Sequence, residues 1–98
     1  MHILTVLYGQ PEDPAAFDSH YQDTHAPLVD KIEGVRGWTY RKLDSMDGST
    51  PPYYLIAELT FDSAEQLQSS MGSAEGQAAA NDVPNFASGG ATMLVAHD

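Results

Sequence analysis

Two segments of this chain read as β-strands with apolar side chains on both faces. Ile3–Tyr8 is a β-branched and aromatic run stopped by Gly9-Gln10-Pro11. It offers Ile3, Thr5 and Leu7 to one side and Leu4, Val6 and Tyr8 to the other, because successive strand residues alternate. Tyr53–Phe61 likewise sets Tyr53, Leu55, Ala57, Leu59 and Phe61 against Tyr54, Ile56, Glu58 and Thr60. An antiparallel sheet that turned one face to water would carry polar residues there. A sheet centred on these two strands has to be covered twice.

The rest of the chain provides one cover. Asp13-Pro14 is a helix start, with aspartate as N-cap and proline at the first helical position. Phe17, Tyr21, Thr24, Leu28 and Ile32 then recur at helical spacing, and Gly34 fits the C-cap. Val35–Leu43 reads as the second strand, with Trp38 and Tyr40 on one face, and Asp44–Pro52 as a hairpin loop. Asp62-Ser63-Ala64-Glu65 reads as a capping box with Asp62 as the cap. A second helix follows, interrupted at Gly72, with a further short helix over Ser73–Asn81. Pro84–Gly90 is loop and Ala91–Ala96 the last strand.

The order β-α-β-β-α-β is the ferredoxin-like pattern, a single α+β domain over residues 1–98 with a four-stranded antiparallel sheet. Two helices cover one sheet face. An apolar face left bare marks an interface or ligand site, and pairing with a second copy about a two-fold axis is the economical cover. A homodimer is therefore expected, with a small-molecule pocket beside the sheet.

Charge narrows the function. The 98 residues carry 14 acidic and 4 basic side chains, a formal net charge of −10. Phosphate backbones and anionic membranes need clustered Lys and Arg, so neither nucleic acid nor a membrane surface is an expected partner. There is no cysteine, which excludes disulfides and thiol chemistry. The start, Met1-His2-Ile3-Leu4, lacks the basic region of a secretion signal, and no apolar run approaches a membrane span. These features fit a cytoplasmic chain.

Chemistry concentrates in Phe17-Asp18-Ser19-His20-Tyr21-Gln22-Asp23-Thr24-His25-Ala26-Pro27-Leu28. Histidines titrate near neutrality. Pro27 removes a backbone donor, leaves the carbonyl of Asp23 without its usual partner and should bend the helix near Thr24–Ala26. Residues five apart on an α-helix diverge by roughly 140°, so His20 and His25 share a face only if the kink brings them together. That weakens a metal site, and no metal or cofactor is expected. His25 reads equally well as a general acid/base and as a cap on loose backbone at the kink; His20 reads as a packing or hydrogen-bonding residue. Tyr21 has core spacing but a hydroxyl that needs a partner. Glu58 is the odd carboxylate in an apolar strand, a base if buried and otherwise a solvated edge residue. Tyr8, Trp38, Tyr54 and Ile56 are candidate pocket walls for an apolar ligand, with His20 beside them. His2 and His97 lie at strand ends that should pair.

This stretch resembles the F-x-x-H-Y/W-x-x-x-H-x-P-L signature of the EthD family of small dimeric α+β barrel proteins. Leu7-Tyr8, Gly34-Val35 and Phe61-Asp62-Ser63 extend the resemblance over almost the whole chain. It implies a ferredoxin-like dimeric barrel with a pocket in each subunit. Superfamily relatives include muconolactone isomerases, cofactor-free monooxygenases and polyketide cyclases or dehydratases, and EthD itself is associated with ether-degrading cytochrome P450 systems. A histidine in the matching stretch of isomerase-like relatives is implicated in chemistry, which favours His25 over His20. Two functions stay open. One is a cofactor-independent enzyme on a small, apolar, oxygenated metabolite, with His25 moving a proton and Tyr21 or Glu58 orienting it. The other is a non-catalytic binding or accessory protein for a partner oxygenase.

Overall fold

The computed structural model describes all 98 residues, Met1–Asp98. Four strands form one antiparallel sheet: β1 (His2–Gly9), β2 (Gly37–Lys42), β3 (Tyr53–Phe61) and β4 (Ala91–His97), in the spatial order β2-β3-β1-β4. The two strands apolar on both faces, β1 and β3, are the central pair. The helices α1 (Pro14–His20), α2 (Ala26–Asp30), α3 (Ala64–Gly72) and α4 (Ala74–Asp82) pack on one side of it. The shortest dimension of the molecule is 17 Å. That leaves room for one sheet and one helix layer about 10 Å apart, and nothing of the chain covers the opposite face.

Register decides which residues are inside. Leu4 pairs with Leu59, Val6 with Ala57 and Tyr8 with Leu55, and these six are all buried against the helices. Phe17, Tyr21, Val29, Ile32, Leu67, Ala79 and Phe86 meet them from the other layer. Burying each large side chain of this kind contributes about 1.5–3 kcal/mol. Ile3, Thr5, Leu7, Ile56, Glu58 and Thr60 point to the bare side and are only partly covered. Every residue of β4 is exposed, including Met93, Leu94 and Val95 at 49, 55 and 46%.

Local signals explain the helix ends. Asp13 accepts from the Ala16 N–H, with Pro14 opening α1. The expected C-cap at Gly34 is corrected: α2 ends at Asp30 with Lys31 as its C-cap, and Gly34, in the turn beyond, has φ +89°, where a side chain would strike Gln66 and Ser70. Ser70 Oγ donates to the Glu33 carbonyl at 2.7 Å, so α3 locks the exit from α2. Ser73 ends α3 and caps α4 through the Gly76 N–H, which is why the second helical region breaks in two at Gly72. The expected capping box is corrected: Ser63 is the N-cap of α3, accepting from Gln66 N–H. Asp62 turns outward instead and forms a forked pair with Arg36, at 2.6 Å from Nη2. The second strand is also shorter than expected, since Val35 and Arg36 lead into it; Arg36 N–H still reaches the Thr60 carbonyl at 2.8 Å.

Candidate active site

Pro27 shapes the site. The helix does not merely bend before it. Residues Tyr21–His25 form a π turn between α1 and α2, with the Ala26 N–H bonded to the Tyr21 carbonyl five residues back. Proline has no N–H to give the preceding turn, so a wider loop that defers the next bond fits the sequence at little cost. Gln22, Asp23 and Thr24, in the bulge, are exposed, so a carbonyl left without a donor faces water. Such turns occur mostly as single insertions inside α-helices, frequently at functional sites. The extra residue reduces the angle between positions 20 and 25, and both rings reach one partner.

That partner is Asp82, the last residue of α4, 7% exposed. His20 Nε2 lies 2.8 Å from its Oδ1 and His25 Nδ1 3.0 Å from its Oδ2. Asn85 Nδ2 donates to Oδ1 at 3.1 Å. Burial alone would raise the Asp82 carboxyl, but the bonds from His20, Asn85 and His25 hold it below the ordinary carboxylate range. His25 is 4% exposed; burial lowers its pKa despite the opposing pull of Asp82, so the neutral ring is favoured. A neutral ring beside a carboxylate carries its proton on Nδ1, donated to Asp82. Nε2 is left with a free lone pair and no hydrogen bond. The three groups do not converge on a point where a cation could sit.

Aromatic rings pack round this unit. Phe86 touches Tyr8, Phe17, His20, Tyr21 and His25, with ring centroids 4.8–5.5 Å away. Tyr21 lies 5.0 Å from the His25 ring and 4.8 Å from Tyr40. Its hydroxyl is buried and makes no hydrogen bond of ordinary length, although the Tyr8 hydroxyl is close enough to act on its ionisation. Burial pushes its ionisation well above that of an ordinary phenol, with Tyr8 adding to the effect. Burial likewise pushes Tyr8 up to about 12. Both phenols therefore stay protonated at neutral pH and can only donate or accept as neutral groups. His25, Tyr8 and Tyr21 line a cavity of about 30 Å3 whose other walls include Leu4, Val6, Val29, Ile32, Leu59 and Ala79, with the half-exposed Met93 at its outer side. That is room for about two waters.

The remaining candidates lie elsewhere. Glu58 is on the bare face, 40% exposed, opposite Thr5 and Thr39, with Arg41 3.9 Å away. It is separated from His25 by the sheet. Ile56 shares that face. Tyr54 departs from the expected alternation: register slips between Tyr8 and Gly9, leaving Tyr54 unpaired with β1. Such a bulge re-aims a side chain, and Tyr54 packs edge-on to Phe17 while its hydroxyl donates to Asp18 at 2.9 Å. Trp38 is on the helix side, opposite Leu59, and its Nε1 donates to Asp30 at 2.8 Å. His2 and His97 do meet, as stacked rings 5.2 Å apart. Asp82 and Phe86 were not anticipated. The only trace in the sequence is an aspartate at a helix end just before Pro84, which is common and unspecific.

Comparison with known proteins agrees with this architecture. The model of the EthD domain matches residues 9–90. An uncharacterized 11.0 kDa protein from Rhodococcus erythropolis, encoded in the thcB-thcC intergenic region, is 49% identical over 94 residues, covering 96% of this chain and 91% of that protein. The crystal structure of an EthD family protein from Bacillus halodurans C-125 superposes with a TM-score of 0.94 at 38% identity, over 100% of this chain and 98% of that one. A dimeric ferredoxin-like protein of unknown function from Jannaschia sp. CCS1 has a TM-score of 0.75 at 12% identity, with both chains fully covered, a likeness of fold alone.

Proposed function

For this chain, which belongs to the EthD family, we propose a cofactor-independent proton-transfer reaction on a small, apolar, oxygen-bearing molecule, with His25 as the general acid/base. One observation carries the reading. His25, fixed by Asp82 through Nδ1, lines the same apolar cavity as Tyr21, whose buried hydroxyl makes no hydrogen bond of ordinary length. A buried donor without a partner costs about 1–3 kcal/mol unless something binds to it. A ligand oxygen is the natural partner, and the ring beside it is then placed to take or return a proton. Asp82 fixes the tautomer and favours the imidazolium that forms, and Phe86 holds both rings. Glu58 has no part in this step.

A ligand larger than two waters needs more space, and Met93 on β4 is the wall that can move. We place a second copy of the chain against the bare sheet face, where Ile3, Leu7, Ile56 and Leu94 would be buried. The dimeric assembly named for the Jannaschia protein is in keeping with this. The experiment is a turnover and thermal-shift screen of small lactones, ketones and ethers on the wild type and His25→Gln. The expected result is a compound that is converted by the wild type only. Ligands bound equally by both proteins, at all pH values from about 5 to 8 and without conversion, would instead favour an accessory role.

A further inference from the structure

Asp82 serves two imidazoles that face different environments. His25 is 4% exposed and lines the inner cavity. The His20 side chain is 28% exposed and lines a groove of about 300 Å3 on the outer side of α1, with Glu12, Asp13, Ala16, Asn85 and Ser88. Each carboxylate oxygen is bonded to one ring. We propose that His20 is a positioning residue that sets the protonation of His25 through Asp82: the single carboxylate supports one imidazolium at a time, and the solvent-facing ring takes that charge. The inference rests on the reading of His25 as the acid/base group, which needs it available as a neutral ring.

The charges around the pair support this order. His25 is faced by Asp82 from α4 and His20 from α1, and by the neutral phenols of Tyr21 and, beyond it, Tyr8 and Tyr40. Asp82 is its only anion. His20 has Asp82 as well, with Glu12 and Asp13 along its groove. A proton from solvent therefore meets less desolvation at the more exposed His20 ring. Once there, it neutralises Asp82 and repels a second proton from His25. The two rings then titrate as a coupled unit rather than singly.

The test is nitrogen-detected NMR of both imidazoles in the ligand-free protein between about pH 4 and 8. In the wild type the His20 ring should take up the first proton while His25 stays neutral with its proton on Nδ1. In His20→Gln, whose amide keeps a neutral bond to Asp82, the His25 midpoint should rise by roughly half a pH unit or more, about threefold in proton affinity. His20→Phe, which can keep the stacking on Phe86, should do the same. His25 protonating before His20 in the wild type, or an unmoved His25 midpoint in whichever variant folds, would overturn the proposal. Because the readout needs no turnover, a shifted His25 in a protein without activity would leave the coupling standing and remove the catalytic reading alone.

Discussion

The Nδ1 atom of His25 lies 3.0 Å from Oδ2 of Asp82, across 57 residues of chain. That contact leaves Nε2 as the nitrogen available for chemistry. Without it the ring could rotate or change tautomer, and Nε2 would no longer be fixed as the nitrogen that carries the lone pair. Asp82→Asn should therefore keep the fold and lower turnover by about 10²–10⁴, the usual range for a positioned acid/base group. Steady-state rates on a compound from the screen, with circular dichroism as the folding control, check this. Unchanged turnover would remove Asp82 from the mechanism.

Pro27→Ala supplies the missing N–H. The helix should then recover the α register across Tyr21–His25, and the two histidines should swing apart. Thermal stability should not rise, since the π turn already accommodates Pro27 in the first turn of α2 and the variant leaves the buried Asp82 with one partner fewer. The His25 Nδ1–H resonance should lose its hydrogen-bonded shift. Retention of that resonance would mean that packing, rather than proline, holds the π turn.

Acid should destabilise the protein in two stages. Folding lowers the His25 pKa, chiefly by burial. The unfolded imidazole therefore takes up a proton near its ordinary value of about 6.5, and stability falls as pH drops through that value. Asp82 is held below its ordinary range by its bonds to His20, Asn85 and His25, against the effect of burial. Its contribution is present at higher pH and lost on further acidification, below about pH 4. Melting temperatures should decline from pH 7.5 to 5, about the imidazole range, and His25→Gln should flatten that slope.

Phe86 is in contact with five rings and is 8% exposed. Phe86→Ala should cost about 3–5 kcal/mol. It should also free both histidines, which share no other aromatic neighbour than Phe86. Denaturant unfolding measures the first effect and ring line widths the second.

Leu94 is 55% exposed on the bare side of β4, opposite Thr5. Leu94→Glu leaves the core of the protomer untouched and places a charge in the proposed dimer contact. It should weaken association by about thirtyfold or more, the scale of an interface hot spot. Sedimentation at micromolar protein reads this directly; a wild type that sediments as single chains would remove the dimer.

Much of the fold follows from local chemistry. Alternation in β1 and β3 marks both faces, Asp13-Pro14 opens a helix and Gly72 ends another, whereas the first helical stretch stops at Asp30, short of Gly34. These signals act within a few residues. The capping assignment at Asp62-Ser63 failed because two adjacent residues can both cap, and a distant one, Arg36, drew Asp62 away. Tyr54 was placed on the wrong face because a one-residue slip against β1 leaves no mark in the local pattern.

The site divides in the same way. The sequence alone picked out the stretch on which the proposed site rests: two histidines, a tyrosine and a proline within one helical segment, with the requirement that Pro27 disturb the turn between them. What it could not provide was the carboxylate. Asp82 is ordinary among 14 acidic residues until α4 packs against α2 and delivers its end to the bulge. Backbone preferences are set by neighbours in the chain. A hydrogen bond between side chains 57 and 62 residues apart exists only once the helices have docked on the sheet.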